Sequence, residues 1–282
     1  ANRKRLGYDL PFLVQYWVFI KGLFLGRTYG EGAALINCPA PSLGYSFQEH
    51  SCVTSLIGEA LPVTLSLALG ALVLWLIVGV GLGVLAARYR GKFADSASTI
   101  FVLVGTSLPT FLTGLMLLVF VVIKWHILPF PAGNYTPFLE DPYEWAQILF
   151  LPWITLAFAY AALYTRFVRS AVIETSNEDY IRTARAKGLP EGTILGKHTL
   201  RAALAPIVTM AGLDFAGLLG GAILTESVFN LPGLGRLAIG AVIEYDLPII
   251  VATTLLAAAI VVVMNLIVDI AYAFIDPRVR VA

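Results

Sequence analysis

The run from Val63 to Leu85, VTLSLALGALVLWLIVGVGLGVL, contains no charged residue. As an α-helix rising about 1.5 Å per residue it is about 34 Å long, enough to cross a hydrocarbon core about 30 Å thick. Four more stretches are mostly apolar: about Thr99–Ile123, Ile148–Val168, Ala203–Leu224 and Pro248–Phe274. Each is predicted to be helical, because lipid offers backbone groups no partner and a single helix satisfies its own. The composition agrees. Of 282 residues, 58% are hydrophobic and 13% charged, about half the charged share of a soluble domain. The chain is therefore expected to be an all-α integral membrane protein with a lipid bilayer as its solvent. A net charge of +1 gives no bulk electrostatic case for a nucleic-acid partner. His50, His126 and His198 lie far apart in the chain and suggest no metal site.

Lys and Arg in the connections set the direction of the spans. Arg88, Arg90 and Lys92 follow the first span; Arg166, Arg169, Arg182, Arg185, Lys187, Lys197 and Arg201 fall between the third and fourth; Arg278 and Arg280 come near the end. Their alternation places all of them on one side, the cytoplasm. The Lys124–Gln147 connection carries one Lys against Glu140, Asp141 and Glu144. The Thr225–Leu247 connection carries Arg236 against Glu226, Glu244 and Asp246. Both are expected outside, with residues 1–62. The opening ANRKRLGYDL lacks the apolar core of a signal peptide, so a further helix before Ala1 is expected, giving six spans with both ends inside.

Three regions follow: an extracytoplasmic segment 1–62, a transmembrane domain 63–275 with a polar insert at 174–201, and a cytoplasmic tail 276–282. The outer segment holds Cys38 and Cys52. An oxidising compartment favours a disulfide between them, closing a loop of about 15 residues at a value of about 3 kcal/mol in the chain-entropy picture.

The insert, NEDYIRTARAKGLPEGTILGKHTLRAALAPIV from Asn177, has an internal order that a topological loop does not need. Ser176 or Asn177 can cap a helix whose first turn holds Glu178 and Asp179, where the dipole favours acid. Arg182, Arg185 and Lys187 come late, where it favours cations, and Gly188 and Pro190 suit a stop and a new start. A helix of about ten residues is expected, with Tyr180, Ile181 and Ala184 as a contact face. Such a protrusion suits docking into another protein; a plain basic loop is the alternative.

DYIRTARAKGL, with Gly188 six residues after Arg182, resembles the cytoplasmic loop of ATP-binding-cassette importer permeases. The Glu-Ala-Ala that names that loop reads Arg182-Thr183-Ala184 here, the form of the peptide and nickel branch. ESVFNLPGLGRL (Glu226–Leu237), NLIVDIAYAFIDPRVR (Asn265–Arg280) and LGYDLPFLVQYWVFIKGLFLG (Leu6–Gly26) resemble the outer loop, the C-terminus and the stretch after the first helix of that branch. The segment around Gly26–Ser55 departs from the family. The resemblance implies a type I importer permease in a bacterial or archaeal cell membrane. It would be one of two homologous permease subunits, working with two ATPase subunits and an external substrate-binding protein. The insert would be the coupling helix, with Tyr180, Ile181, Ala184, Arg185, Ala186, Lys187 and Gly188 against an ATPase. ATP and Mg would belong to those partners, and no cofactor is expected in this chain.

A phosphate-binding loop needs Gly, four residues, then Gly-Lys-Ser/Thr. GTILGKHT (Gly192–Thr199) has three residues between the glycines and His198 where the hydroxyl belongs. ATP is therefore expected to act through a partner.

Within the spans, Asp214 is costly unless it faces protein or water. It either lines a translocation path or bonds a neighbouring helix. Gly212, Ala216 and Gly220 repeat every four residues, the pattern of close helix contact. Pro109 bends the second span, either as a hinge or as a fixed kink, with Thr106, Ser107 and Thr110 serving the freed backbone groups. Asn265 and Asp269 share a face of the last span and are expected to pair with neighbours. Glu226, beside LPGLG, either belongs to an outer gate or caps a tight connection. The transport reading competes with an ion-coupled secondary transporter or channel acting alone, which predicts buried ion sites and inverted repeats.

Overall fold

Among the described residues three continuous helices, and two broken ones if each bent pair counts as one, are long and apolar enough to cross a membrane, a total of up to five spans. The structure is a computed structural model describing residues 11–29, 35–128, 135–220 and 222–275. Helix α1 (Phe12–Leu25) leads into two small antiparallel pairs, β1 (Arg27–Tyr29) with β2 (Ile36–Cys38) and β3 (Tyr45–Ser46) with β4 (Ser51–Cys52). Then come α2 (Val53–Arg88), α3 (Phe93–Ser107) and α4 (Thr110–Leu117), which widens into a π-helical stretch over Leu118–Lys124. Helix α5 (Pro142–Ser176) is followed by the short α6 (Asp179–Ala186). A helical turn at Glu191–Thr193 and a π-helical Ile194–Thr199 run into α7 (Leu200–Leu219). The chain continues through α8 (Ile223–Val228), α9 (Leu234–Ile243) and α10 (Leu247–Ile275). The tail from Asp276 lies outside the described residues.

Helices α2 and α5 form the centre. Gly79 and Gly83 let α5 approach so closely that a Cβ on either would stand 2.7 Å from the Cβ of Tyr164 or Val168. Trp75 lies flat against Tyr160 at 4.6 Å between centroids and is fully buried. Helix α3 joins at Gly105, where a Cβ would meet that of Ala162 at 2.5 Å. Close backbone approach of this kind is how helices gain dispersion contacts where lipid removes the hydrophobic drive. Helix α7 packs on α10 through the small-residue stripe: a Cβ on Gly212 would collide with Val268 Cγ2 at 1.9 Å, and one on Gly220 would touch Ala257 at 3.7 Å.

Two spans differ from the sequence expectation. Pro109 does not merely bend the second span. Leu108 and Pro109 are both extended, and the flanking helices meet at 99°. The Thr106 hydroxyl returns to the Val102 carbonyl, and the Pro109 carbonyl receives the Thr113 N–H, so the break leaves its ends hydrogen-bonded. The fourth span stops at Leu219, short of Leu224, and turns by 47° near Pro206. Asn265 and Asp269, expected to pair with neighbours, are exposed on α10.

Candidate functional site

The two ends of α2 carry two different polar assemblies. At the Val53 end, a disulfide joins Cys38 to Cys52 with Cα atoms 5.8 Å apart. It ties β2 to β4 and surrounds a small core of Tyr29, Cys38 and Tyr45. This module is fastened to the α9–α10 turn. Ser46 Oγ donates to the buried Asp246 carboxylate, and Gln48 Nε2 donates to the Glu244 carbonyl at 2.7 Å.

Glu226 lies at the same end. Within this chain it is 0% exposed. Its Oε1 accepts from Thr64 Oγ1 at 2.8 Å, and its Oε2 accepts from Arg236 N at 2.9 Å, in the first turn of α9. Thr64 Oγ1 in turn accepts from Leu234 N at 2.8 Å. A carboxylate at a helix N-terminus satisfies orphan amides and meets the positive end of the dipole. The geometry is a capping Glu at a tight connection, with Gly233 leaving room: a Cβ there would lie 2.4 Å from Glu226 Cδ.

Midway along the bundle, Tyr164 of α5 donates its hydroxyl to Asp214 Oδ2 at 2.6 Å. Asp214 is half-buried, whereas Tyr164 is 1% exposed. One carboxylate face is thus held by a neighbouring helix while the residue keeps access to the bundle surface.

At the Arg88 end stands the polar insert. Helix α6 runs eight residues, Asp179–Ala186. Neither Ser176 nor Asn177 caps it: Ser176 ends α5, its hydroxyl bonded to the Val172 carbonyl, and Glu178 occupies the N-cap position with no side-chain bond. Gly188 ends the helix at φ 76°, where Gly escapes the left-handed penalty of other residues. Leu189 N then bonds the Ala184 carbonyl at 3.3 Å. The expected contact face divides. Ile181 and Ala184 are buried against Ile194 inside the insert, and Tyr180 is 47% exposed. Arg185 holds Glu191 at 2.8 Å and also donates to the Ser176 carbonyl. Ala186, Lys187 and Gly188 are exposed. The result is a knob closed on its own core and pinned to the end of α5.

One ion pair escaped the sequence reading. Arg169, counted there only as a topological charge, makes a bidentate contact with Asp95 at 2.7 and 3.0 Å. Asp95 also accepts from Gly91 N, so α5, α3 and the α2–α3 turn are joined just beside the insert. Bidentate geometry makes such pairs stronger than ordinary surface pairs. Gly79 and Gly83 were a second omission, although their spacing of four is visible in VGVGLG.

Among the described residues no group of three or more His, Cys, Asp or Glu is placed to hold a metal ion.

Two descriptions of protein families match the chain: "Binding-protein-dependent transport system inner membrane component" over residues 79–281, and the N-terminal "Binding-prot-dependent transport system membrane comp" over residues 1–68. A peptide ABC transporter permease of Sinorhizobium fredii (strain NBRC 101917 / NGR234) is 41% identical over 99% of this chain and 83% of its own length. A peptide transport system permease of Brucella abortus (strain 2308) is 37% identical over the same shares. The glutathione transport system permease GsiC of Escherichia coli O6:H1 is 36% identical over 99% of this chain and 83% of its length. Among solved structures, an inward-facing form of the MetNI methionine ABC transporter superposes with a TM-score of 0.60 at 19% identity, over 79% of this chain and 97% of that one. These relatives lend no support to an ion-coupled carrier acting alone. The chain belongs to the multi-pass inner-membrane components of binding-protein-dependent transport systems, the permeases of ATP-binding-cassette importers.

Proposed function

We propose that the chain is one of two homologous permease subunits forming the path of an ATP-driven peptide importer, with two ATPases and an external binding protein as partners. The observation that carries the coupling half of this reading is the pinned knob of Asp179–Gly188. It holds its apolar residues inside, is fixed to α5 through Arg185, and leaves its tip exposed. A rigid knob on the end of a 35-residue helix transmits displacement without absorbing it. Tyr180, Lys187 and Gly188 then meet the ATPase, while Ile181, Ala184 and Arg185 keep the knob stiff. Without a phosphate-binding loop of its own, the chain takes the work of ATP, with its Mg, from those partners.

Peptide as substrate is supported by the names of the relatives given above. Asp214 is the chain's candidate for meeting a peptide amino group, and the Pro109 break is the candidate for a hinge. The Arg88 end with the knob is assigned to the cytoplasm by its cations, and the disulfide module to the exterior.

The test is purification from native membranes in mild detergent, followed by reconstitution. ATPase chains are expected to copurify, and labelled di- and tripeptides to accumulate only with ATP and the binding protein. A chain that purifies alone, with transport following an ion gradient, overturns the proposal.

A further inference from the structure

A pocket of about 400 Å³ opens between the α2–α3 turn and the insert. Arg88, Arg90 and Lys92 line it from the turn, and Arg185 lines it from α6; the carboxylate in the lining is Glu191. Among the described residues, Arg88, Arg90 and Lys92 have no carboxylate within ion-pair distance, whereas Arg185 is already bound to Glu191. The cations are also organised. Gly91 sits at φ 74° and donates to Asp95, which fixes the turn. The guanidinium of Arg88 and the ammonium of Lys92 lie 5.8 and 5.9 Å from the ring centre of Tyr89. Three cations within the five residues Arg88–Lys92, with Arg185 across the pocket, concentrate positive charge there, and Asp95, the carboxylate that acts on Arg90, is already held by Arg169.

The position defines the anion. The uncharged span ends at Leu85, three residues before Arg88, and Phe93 beyond the turn is 87% exposed. Tyrosine is enriched at the headgroup layer, Tyr89 stands among these cations, and basic pockets between helices on the cytoplasmic side suit phosphate headgroups. We propose that this pocket binds a phosphate ester, the headgroup of an anionic phospholipid of the inner leaflet, bridging the α2–α3 turn to the insert. The proposal rests on the cytoplasmic placement given above. Because one wall of the pocket is Arg185, an occupied site would stiffen the knob that is to carry the coupling motion.

The assembled importer, purified with its ATPases, is placed in nanodiscs of phosphatidylcholine with an equal part of phosphatidylglycerol, and retained lipid is read by native mass spectrometry. Preferential retention of phosphatidylglycerol is expected. It should fall about fivefold for each charge removed in Arg90→Gln and in the Arg90→Gln/Lys92→Gln pair. Arg201→Gln, outside the pocket, should leave it unchanged. Inorganic phosphate is added in a parallel arm. If it displaces the lipid, the pocket reads phosphate from either source; if it does not, the acyl-anchored headgroup is the ligand. Equal retention of both lipids, or unchanged retention in the double variant, overturns the proposal. So does a double variant that loses its ATPases while keeping its lipid, since the basic rim would then be a protein-docking surface. A complex that keeps its ATPases but retains no lipid refutes this site alone, and a chain without ATPases refutes the importer reading.

Discussion

Tyr164 and Asp214 meet across the α5–α7 contact, the phenolic hydroxyl donating to Oδ2 at 2.6 Å, with the tyrosine buried and the aspartate half-buried. The two roles considered for Asp214 are therefore compatible, since one oxygen can be held by a neighbour while the side chain still faces the bundle surface. Tyr164→Phe removes the donor and is expected to lower stability by about 1–3 kcal/mol, the cost of leaving a desolvated acceptor unpaired. Asp214→Asn keeps an acceptor for Tyr164 and should barely move the melting temperature. If Asp214 meets the peptide amino group, the same variant slows uptake of free peptides more than that of N-acetylated ones. Uptake and substrate range both unchanged in Asp214→Asn remove the residue from the path.

Gly212 and Val268 make the tightest point of the α7–α10 contact. A methyl group placed on Gly212 falls inside Val268 Cγ2, so Gly212→Ala must push the helices apart or displace that side chain. A loss of about 1–3 kcal/mol is expected. Val268→Ala opens the space, and the pair should recover most of the loss. A double-mutant cycle on detergent-solubilised protein reads the coupling directly. An additive cycle would mean that the helices do not touch there.

How much of this was legible beforehand depended on the range of the interaction. Val63–Leu85 announces its span because twenty-odd apolar residues have no other solution in lipid. The Gly212–Ala216–Gly220 stripe was legible for the same local reason: its spacing of four needs no knowledge of the partner helix. Gly188 as a stop was legible because the requirement for positive φ is local. Pro109 was half legible. Proline removes one backbone bond, but an angle of 99° is set by what α3 and α4 pack against, with Gly105 on Ala162 and Gly114 on Phe229. Glu226 was legible as a capping carboxylate at a tight connection, but its partner Thr64, 162 residues away in sequence, was not. Arg169 looked like any other cytoplasmic cation until α3 brought Asp95 to it. In the insert, Ile181 read as a contact residue because its inward neighbour, Ile194, comes from the following turn.

Thr64 and Glu226 predict a stability effect at the Val53 end. Glu226→Ala strips the first turn of α9 of its carboxylate and leaves the part-buried Arg236 amide and the fully buried Thr64 hydroxyl without their acceptor. The expected loss is about 2–3 kcal/mol. Glu226→Gln retains an oxygen and should lose less. Gly233→Ala should resemble Glu226→Ala, because its methyl displaces the carboxylate. Thermal melts followed by accessibility of a thiol placed on α9 would resolve this. A Glu226→Ala protein that melts as wild type would show the carboxylate to be dispensable.

Reduction of the Cys38–Cys52 bond should act locally. The bond closes a loop with a sequence separation of 14, and its constraint is worth about 3 kcal/mol in the chain-entropy picture. The spans do not depend on it: α2 and α5 pack through Gly79, Gly83 and Trp75, far along the helix from Cys52. Cys38→Ser/Cys52→Ser is expected to leave helical content unchanged while raising hydrogen exchange locally at Tyr45–Ser46 and at the turn around Asp246, where Ser46 fastens the module. Loss of helical content in that variant would make the module a part of the core.

The knob gives the sharpest separation between stability and coupling. Arg185 and Glu191 are both well exposed, with side chains at 45% and 62%, so breaking their pair changes stability by less than about 1 kcal/mol. What Arg185→Ala removes is the link from α6 to the Ser176 carbonyl and so to α5. Gly188→Ala has open space for its methyl but must hold φ 76°, a strain of about 1–2 kcal/mol placed at the end of α6. If the knob transmits force, both variants still bind the ATPases, hydrolyse ATP at near-normal basal rate, and lose most peptide uptake and the stimulation of hydrolysis by loaded binding protein. Normal uptake at normal stimulation in both variants would mean that force enters the chain elsewhere.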